Sequence, residues 1–174
     1  MKSILSFLGV KGEARETDSE TIRRIAADLD RLDPDRARYI AGFAFVLSRV
    51  AHADHEVSDE ETAAMERLVR EKGHLPDAQA ALVVQMARTQ QMLFGATDDF
   101  LVTRELGRVA PYDDKVALID CLFAVAAADE KIFAAEADEI GRIARELRVE
   151  QPDVSRLRSA YRDYLVVRQT KPAP

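Results

Sequence analysis

The sequence has no tryptophan, a single cysteine and only seven glycines in 174 residues. One cysteine, Cys121, excludes an internal disulfide and a zinc framework of paired cysteines. Its counterpart in the internal repeat described below is Val46, so Cys121 reads as a small buried apolar side chain rather than a reactive thiol. The scattered glycines make no phosphate-cradling loop, and no nucleophile elbow is present. No apolar run approaches the ~20 residues needed to span a membrane. Basic residues are outnumbered, leaving a net charge of −6, which argues against nucleic acid as a partner because that needs a basic footprint. The apolar start is too short, and too soon followed by charge, for a secretory signal, so a cytoplasmic protein is expected.

What is abundant is alanine, leucine, arginine and glutamate, a mixture that favours helix nearly everywhere. With 47% apolar and 32% charged residues, the chain has the composition of a soluble globular protein. Nothing shows the period-two alternation of half-buried strands. Apolar residues at helical spacing and the Gly, Pro and Asp punctuation predict an all-α bundle of seven or eight helices. The first runs from Asp18-Ser19 to Asp33-Pro34. The second spans about 35–53 and is apolar over most of its circumference, which makes it central. The third covers 58–72 and is stopped by Gly73. The fourth covers roughly 76–94, the fifth runs from a cap at Thr97–Asp99 to about Val109, and Pro111 opens the sixth. A seventh ends near Leu147, and a last helix bearing Leu157, Tyr161, Tyr164 and Leu165 follows Pro152-Asp-Val. Residues 19–168 are expected to form one domain, after an amphipathic segment and linker at 1–18 and before a disordered tail at 169–174. In residues 1–12, Ile4, Leu5, Phe7 and Leu8 would share one side of a short helix flanked by Lys2 and Lys11. That segment either touches a membrane surface or partner, or folds back on the domain.

The most informative feature is a duplication. Ala51-His-Ala-Asp-His-Glu-Val-Ser-Asp-Glu-Glu61 recurs 75 residues later as Ala126-Ala-Ala-Asp-Glu-Lys-Ile-Phe-Ala-Ala-Glu136. Residues 46–71 and 121–146 share nine identities in twenty-six positions, enough to read two copies of one helix–turn–helix unit, at about 35–73 and 110–148. Asp54 and Glu61 in the first turn correspond to Asp129 and Glu136 in the second. Because each turn folds the chain back, the two acids of a pair can approach each other. Ser58-Asp-Glu-Glu61 fits a capping box, and Asp54 can bond turn amides, so turn chemistry alone explains the first pair. In the second copy Ser58 becomes Phe133, which cannot cap, yet both acids are kept. The kept pair either hydrogen-bonds turn amides or holds a hard cation, Ca²⁺ or Mg²⁺. His52 and His55 add donors that would admit Zn²⁺ at the first turn. The first turn is the better candidate, because the second has Ala127, Ala134 and Ala135 where the first has polar neighbours. His74, beside Gly73, reads as a helix-end cation or a solvated loop residue.

The two turns, Ala53-Asp-His-Glu-Val through Glu61 and Ala128-Asp-Glu-Lys-Ile through Glu136, resemble the signature of the TerB-like tellurite-resistance family: Ala-Asp-Gly-x-Val/Ile, then a glutamate four residues on. The similarity covers about residues 20–165. Related modules stand at the front of DjlA-type co-chaperones, although the His-Pro-Asp motif of a J-domain is absent here. The resemblance implies a helical bundle with two pseudo-symmetric halves. It also implies a bacterial stress or tellurite-resistance role in a larger assembly near the inner membrane, and a divalent metal at Asp54 and Glu61, and at Asp129 and Glu136. Where the family pattern has glycine, this chain has His55 and Glu130, residues for which a positive φ is costly.

Three functions follow as expectations. The first is a non-enzymatic interaction module that binds protein partners and a divalent cation. The second is a structural adaptor or co-chaperone-like binding module without metal, touching the membrane through residues 1–12 or forming a homo-oligomer. The third, a metal-dependent hydrolase, lacks any marked substrate pocket.

Overall fold

A computed structural model describes residues 16–51, 59–89, 99–128 and 130–166. The described residues form eight α-helices: α1 (Glu16–Asp30), α2 (Pro34–Val50), α3 (Asp59–Lys72), α4 (Asp77–Arg88), α5 (Asp99–Val109), α6 (Tyr112–Ala126), α7 (Ala134–Glu146) and α8 (Gln151–Ala160). A short 3₁₀ turn, Arg162–Tyr164, follows α8. The expected all-α bundle is what forms, and the one β-type contact among the described residues is an isolated parallel bridge between Ile132 and Leu165. The expected bounds of the fourth helix shift, because α4 ends at Arg88; its foreseen extension through Leu93 and Phe94 lies outside the described residues. Pro152 sits inside the first turn of α8 rather than before it, a position where its missing N–H costs nothing.

Helix α2 is the centre. Asp33 caps it, its Oδ1 accepting from the amide of Asp35 at 2.9 Å, and Pro34 starts it. Twelve of its seventeen residues are buried, so it needs neighbours on every side. Helices α4 and α5 pack most extensively on it, and α1, α6 and α7 complete the enclosure. Gly42 permits the close approach of α5, since a Cβ there would stand 2.9 Å from Leu106 Cβ. Helix α6 has the corresponding place in the second half and packs on α3, α7, α8 and α2. The halves are interlocked: α3 of the first unit lies on α6 of the second, and α7 of the second lies on α2 of the first.

The structural repeat is one helix longer than the sequence comparison suggests. Both α4 on α2 and α8 on α6 pack back onto the first helix of their own unit. The connections into them match as well, since His74 (φ 53°) and Arg148 (φ 58°) both take the left-handed conformation. After α7 this gives a Schellman end, with Val149 N–H donating to the Ala144 carbonyl and Arg148 N–H to that of Arg145. At the end of α3 the left-handed residue is the exposed His74, not Gly73. Gly73 is needed for a different reason: a Cβ there would stand 2.8 Å from the Phe43 ring and 2.5 Å from the Val69 carbonyl oxygen.

One ion cluster ties the halves together. Arg49, near the end of α2, has a side chain only 7% exposed. Its Nε donates to Glu139 Oε1 at 2.7 Å and its Nη1 to Glu146 Oε2 at 2.9 Å, both acids on α7. Burial alone would favour the neutral form, but the hydrogen bonds to Glu146 and Glu139 outweigh it and hold the guanidinium pKa above the usual arginine value. Arg49→Met should therefore strip Glu146 of this partner and leave Glu139 with Arg142 alone, at 3.5 Å, costing about 2–3 kcal/mol in denaturant unfolding. Glu139→Gln and Glu146→Gln added to that variant should restore part of the loss. A loss below about 0.5 kcal/mol would place Arg49 with ordinary surface pairs.

Candidate functional site

The candidate site is the pair of acidic inter-helix turns. In the first, His52, Asp54 and His55 lie outside the described residues, as does the side chain of Glu61. In the second, Asp129 also lies outside them, but residues 127, 128 and 130–136 are described.

The second turn closes by local hydrogen bonds. The amide of Ala127 donates to the Phe123 carbonyl, that of Ala128 to Val125 and that of Glu130 to Ala127. Glu130 takes φ 62°, so the position where the resemblance expects glycine is left-handed. The chain then runs extended through Ile132, which is fully buried and paired with the C-terminal segment. Ile132 N–H donates to the Tyr164 carbonyl at 2.7 Å, and Val166 N–H donates to the Ile132 carbonyl at 3.0 Å. This pairing had no sequence signal beyond the apolar Leu165, because it uses backbone groups alone.

Glu136 stands in the first turn of α7, and its Oε2 accepts from the amide of Phe133 at 2.7 Å. Phe133 has no side-chain acceptor to return the bond, so this is the glutamate half of a capping box working alone. The orphan amide at a helix start needs a partner whatever side chain it carries. That explains why the acid persists although Ser58 has become Phe133. With one oxygen used this way, and the Ile132 carbonyl occupied by Val166, the described part of the second turn does not fit a closed cation cage. Among the described residues no three His, Cys, Asp or Glu side chains converge as metal ligands would.

Behind the turn sits a second polar group, which anchors the C-terminal segment. Tyr161 Oη donates to Asp120 Oδ1 at 2.8 Å, its ring stacks on Phe123 at 5.6 Å, and Lys72 Nζ lies 3.3 Å from Asp120 Oδ2. Burial and the bond to Asp120 push the Tyr161 hydroxyl pKa well up. Cys121 beside it is fully buried, and burial and then Asp120 push its thiol up, so it is an inert core side chain. Sequence reasoning placed Tyr161, Tyr164 and Leu165 on the last helix, whereas α8 ends at Ala160, and it did not single out Asp120. The available signal was an acid within the apolar run 116–126 of α6. A groove of about 480 Å³ between α1, α3 and α4 is open and lined by Thr21, Thr62, Glu66, Gln85 and Arg88 among others.

The fold and the repeated turns define a class: a duplicated all-α module whose units meet through interlocked helices. The chain belongs to the TerB family, since the family model described as Tellurite resistance protein TerB matches residues 40–159, a stretch that includes both turns. No curated protein and no solved structure matches the chain.

Two variants test the second turn. Glu136→Ala should cost about 1 kcal/mol whether or not a divalent cation is present, and Glu136→Gln, which keeps an acceptor, should cost less. Glu130→Gly should relieve the left-handed strain and stabilise by about 0.5–1 kcal/mol, read as a raised melting temperature. An unchanged or lowered value would mean that the Glu130 side chain contributes more than the strain costs.

Proposed function

We propose that this TerB-family chain is a non-enzymatic module of bacterial stress or tellurite resistance that acts by binding protein partners, and that a divalent cation binds at its first acidic turn. The observation that carries the reading is the family match, which spans both turns of the duplication. The division of labour between the turns rests on Glu136, whose carboxylate serves the Phe133 amide. The first turn has more acids in sequence, with Glu56, Asp59 and Glu60 beside Asp54 and Glu61, and His52 and His55 as nitrogen donors. Hard Ca²⁺ or Mg²⁺ would be held by the carboxylates, and Zn²⁺ by a set that includes the histidines. Such an ion would fix the hinge between α2 and α3 and so set the surface offered to a partner. The module's place would be in an assembly at the inner membrane; among the described residues no helix is long and apolar enough to cross a membrane.

The test is thermal unfolding of chelator-stripped protein with added Ca²⁺, Mg²⁺, Mn²⁺ or Zn²⁺. An ion at 100 times its dissociation constant should add about 2.7 kcal/mol. The shift should vanish in Asp54→Ala and persist in Glu136→Ala. No shift with any of the ions would sink the cation reading and leave a purely structural adaptor. A shift that survives Asp54→Ala but is lost in Glu136→Ala would move the site to the second turn.

A further inference from the structure

We propose that the surface of α6 and the second turn that holds residues 161–166 is a peptide-binding site occupied in cis, and that it takes a partner segment of the pattern Tyr-x-x-x-Leu. The resident strap shows what the site recognises. Tyr161 Oη donates to Asp120 Oδ1, and the Tyr161 ring stacks on Phe123. The chain then turns once, with Tyr164 N–H donating to the Tyr161 carbonyl, and becomes extended. Leu165 pairs in parallel with Ile132 and packs half-buried against the core. The carbonyl before Leu165 accepts from Ile132 N–H, and the N–H after it donates to the Ile132 carbonyl. Arg162, Asp163, Tyr164 and Val166 are exposed. Recognition therefore uses two side chains and two backbone bonds. This is the division of labour in strand addition, where main-chain bonds hold the segment and a few seated side chains select it.

Three observations make the strap exchangeable rather than fixed. Its hold is small. Two backbone bonds, one hydroxyl–carboxylate bond and two half-buried side chains are far less than what encloses α2 or α6, so the strap opens locally before the domain unfolds. The acceptor side stays organised without it, because Lys72 Nζ holds Asp120 Oδ2 at 3.3 Å and Glu136 holds the Phe133 amide. Finally, Asp120, Phe123 and Ile132 all lie within the stretch that the family model matches, whereas the strap follows the last matched residue, 159. The site belongs to the module and its occupant does not. A tethered strap competes at an effective concentration on the order of millimolar, so a partner segment must bring further contacts or meet a weakened strap. The inference deepens the protein-binding part of the proposed function and rests on it, but it does not involve the first turn. A failed cation test leaves it standing, and its own failure leaves the cation reading standing.

Two measurements on the full-length chain test it. In hydrogen exchange, the Ile132 and Val166 amides should exchange together, at least about 100-fold faster than the slowest amides of α2, and Tyr161→Phe should speed both about tenfold. Exchange of the Ile132 amide at the rate of the α2 core overturns the proposal. The second probe is a labelled peptide of residues 160–166, Ala-Tyr-Arg-Asp-Tyr-Leu-Val, read by fluorescence anisotropy. It should bind the Tyr161→Phe, Leu165→Ser double variant at least about tenfold more tightly than the parent, because there the tethered competitor is weakened. Binding should fall about tenfold when the peptide carries the same two changes, or when Asp120→Asn is added to the protein. Tyr161→Phe alone keeps the stack on Phe123 and serves for the same comparison if the double variant does not fold. No binding to either variant overturns the proposal, as does binding that ignores the tyrosine and leucine of the peptide. A parent chain that dimerises by exchanging straps, seen as a mass that rises with concentration, assigns the site to a second copy and overturns it too.

Discussion

The structure depends on one constraint: α2 is apolar around nearly its whole circumference, and so is α6. A helix of that kind cannot end a layer, because any face left open costs about 25 cal/mol for each Å² of apolar surface returned to water. A single helix–turn–helix unit has one partner to offer and cannot enclose its own first helix. Duplication solves this by exchange, with α3 laid on α6 and α7 laid on α2. The third helix of each unit, α4 or α8, then closes the remaining side. Neither half has a complete core by itself, so the two should unfold as one cooperative unit. Arg49 is a charged residue within the apolar stretch 39–50 of α2. It is tolerated because α7 supplies two carboxylates at hydrogen-bonding distance, and this fixes which face of α7 turns inward.

Within that frame the second turn has become part of the scaffold. Three independent devices hold it: the glutamate bonded to the Phe133 amide, the left-handed Glu130, and the backbone pairing of Ile132 with the segment after α8. That segment is itself anchored by Tyr161 on Asp120 and by the stack on Phe123. Lys72 reaches Asp120 from the end of α3, so the first unit also contributes to holding the second turn.

The helices and their relative centrality were legible because apolar spacing survives in the sequence of α2 and α6 whatever their neighbours do. The positive φ at Glu130 was legible from the glycine that the family pattern places there. The length of the repeat was not. Comparison at a fixed shift of 75 residues aligns Gly73 with Arg148, whereas the backbone aligns His74 with it, a slip of one residue that hides the kinship of α4 and α8. Gly73 was misread for a related reason: glycine after a helix suggests a left-handed stop, but here it makes room for the Phe43 ring. The pairing of Ile132 with residues 164–166 could not be read at all, because backbone groups carry no sequence signature and the last apolar residues continue a helical spacing. The role of Glu136 was half legible. A capping box is sought by its serine, yet the glutamate answers an amide that exists at every helix start.

That last point bears on what acid pairs at such turns can do. A helix N-terminus presents unpaired amides and the positive end of the macrodipole, both of which favour a carboxylate and oppose a cation. A metal at the same turn must therefore compete with the helix for the same oxygens, and it can succeed only where acids outnumber the amides to be served. The second turn has Lys131, Ala134 and Ala135 around its pair, and one carboxylate oxygen of Glu136 already accepts from the Phe133 amide. At the first turn those positions are Glu56, Asp59 and Glu60, and Glu130 is matched by His55, so the first turn's sequence carries two more acids and one fewer base. The shared signature is thus a shared fold requirement first. Cation binding would be an addition that depends on the surrounding charge rather than on the signature itself.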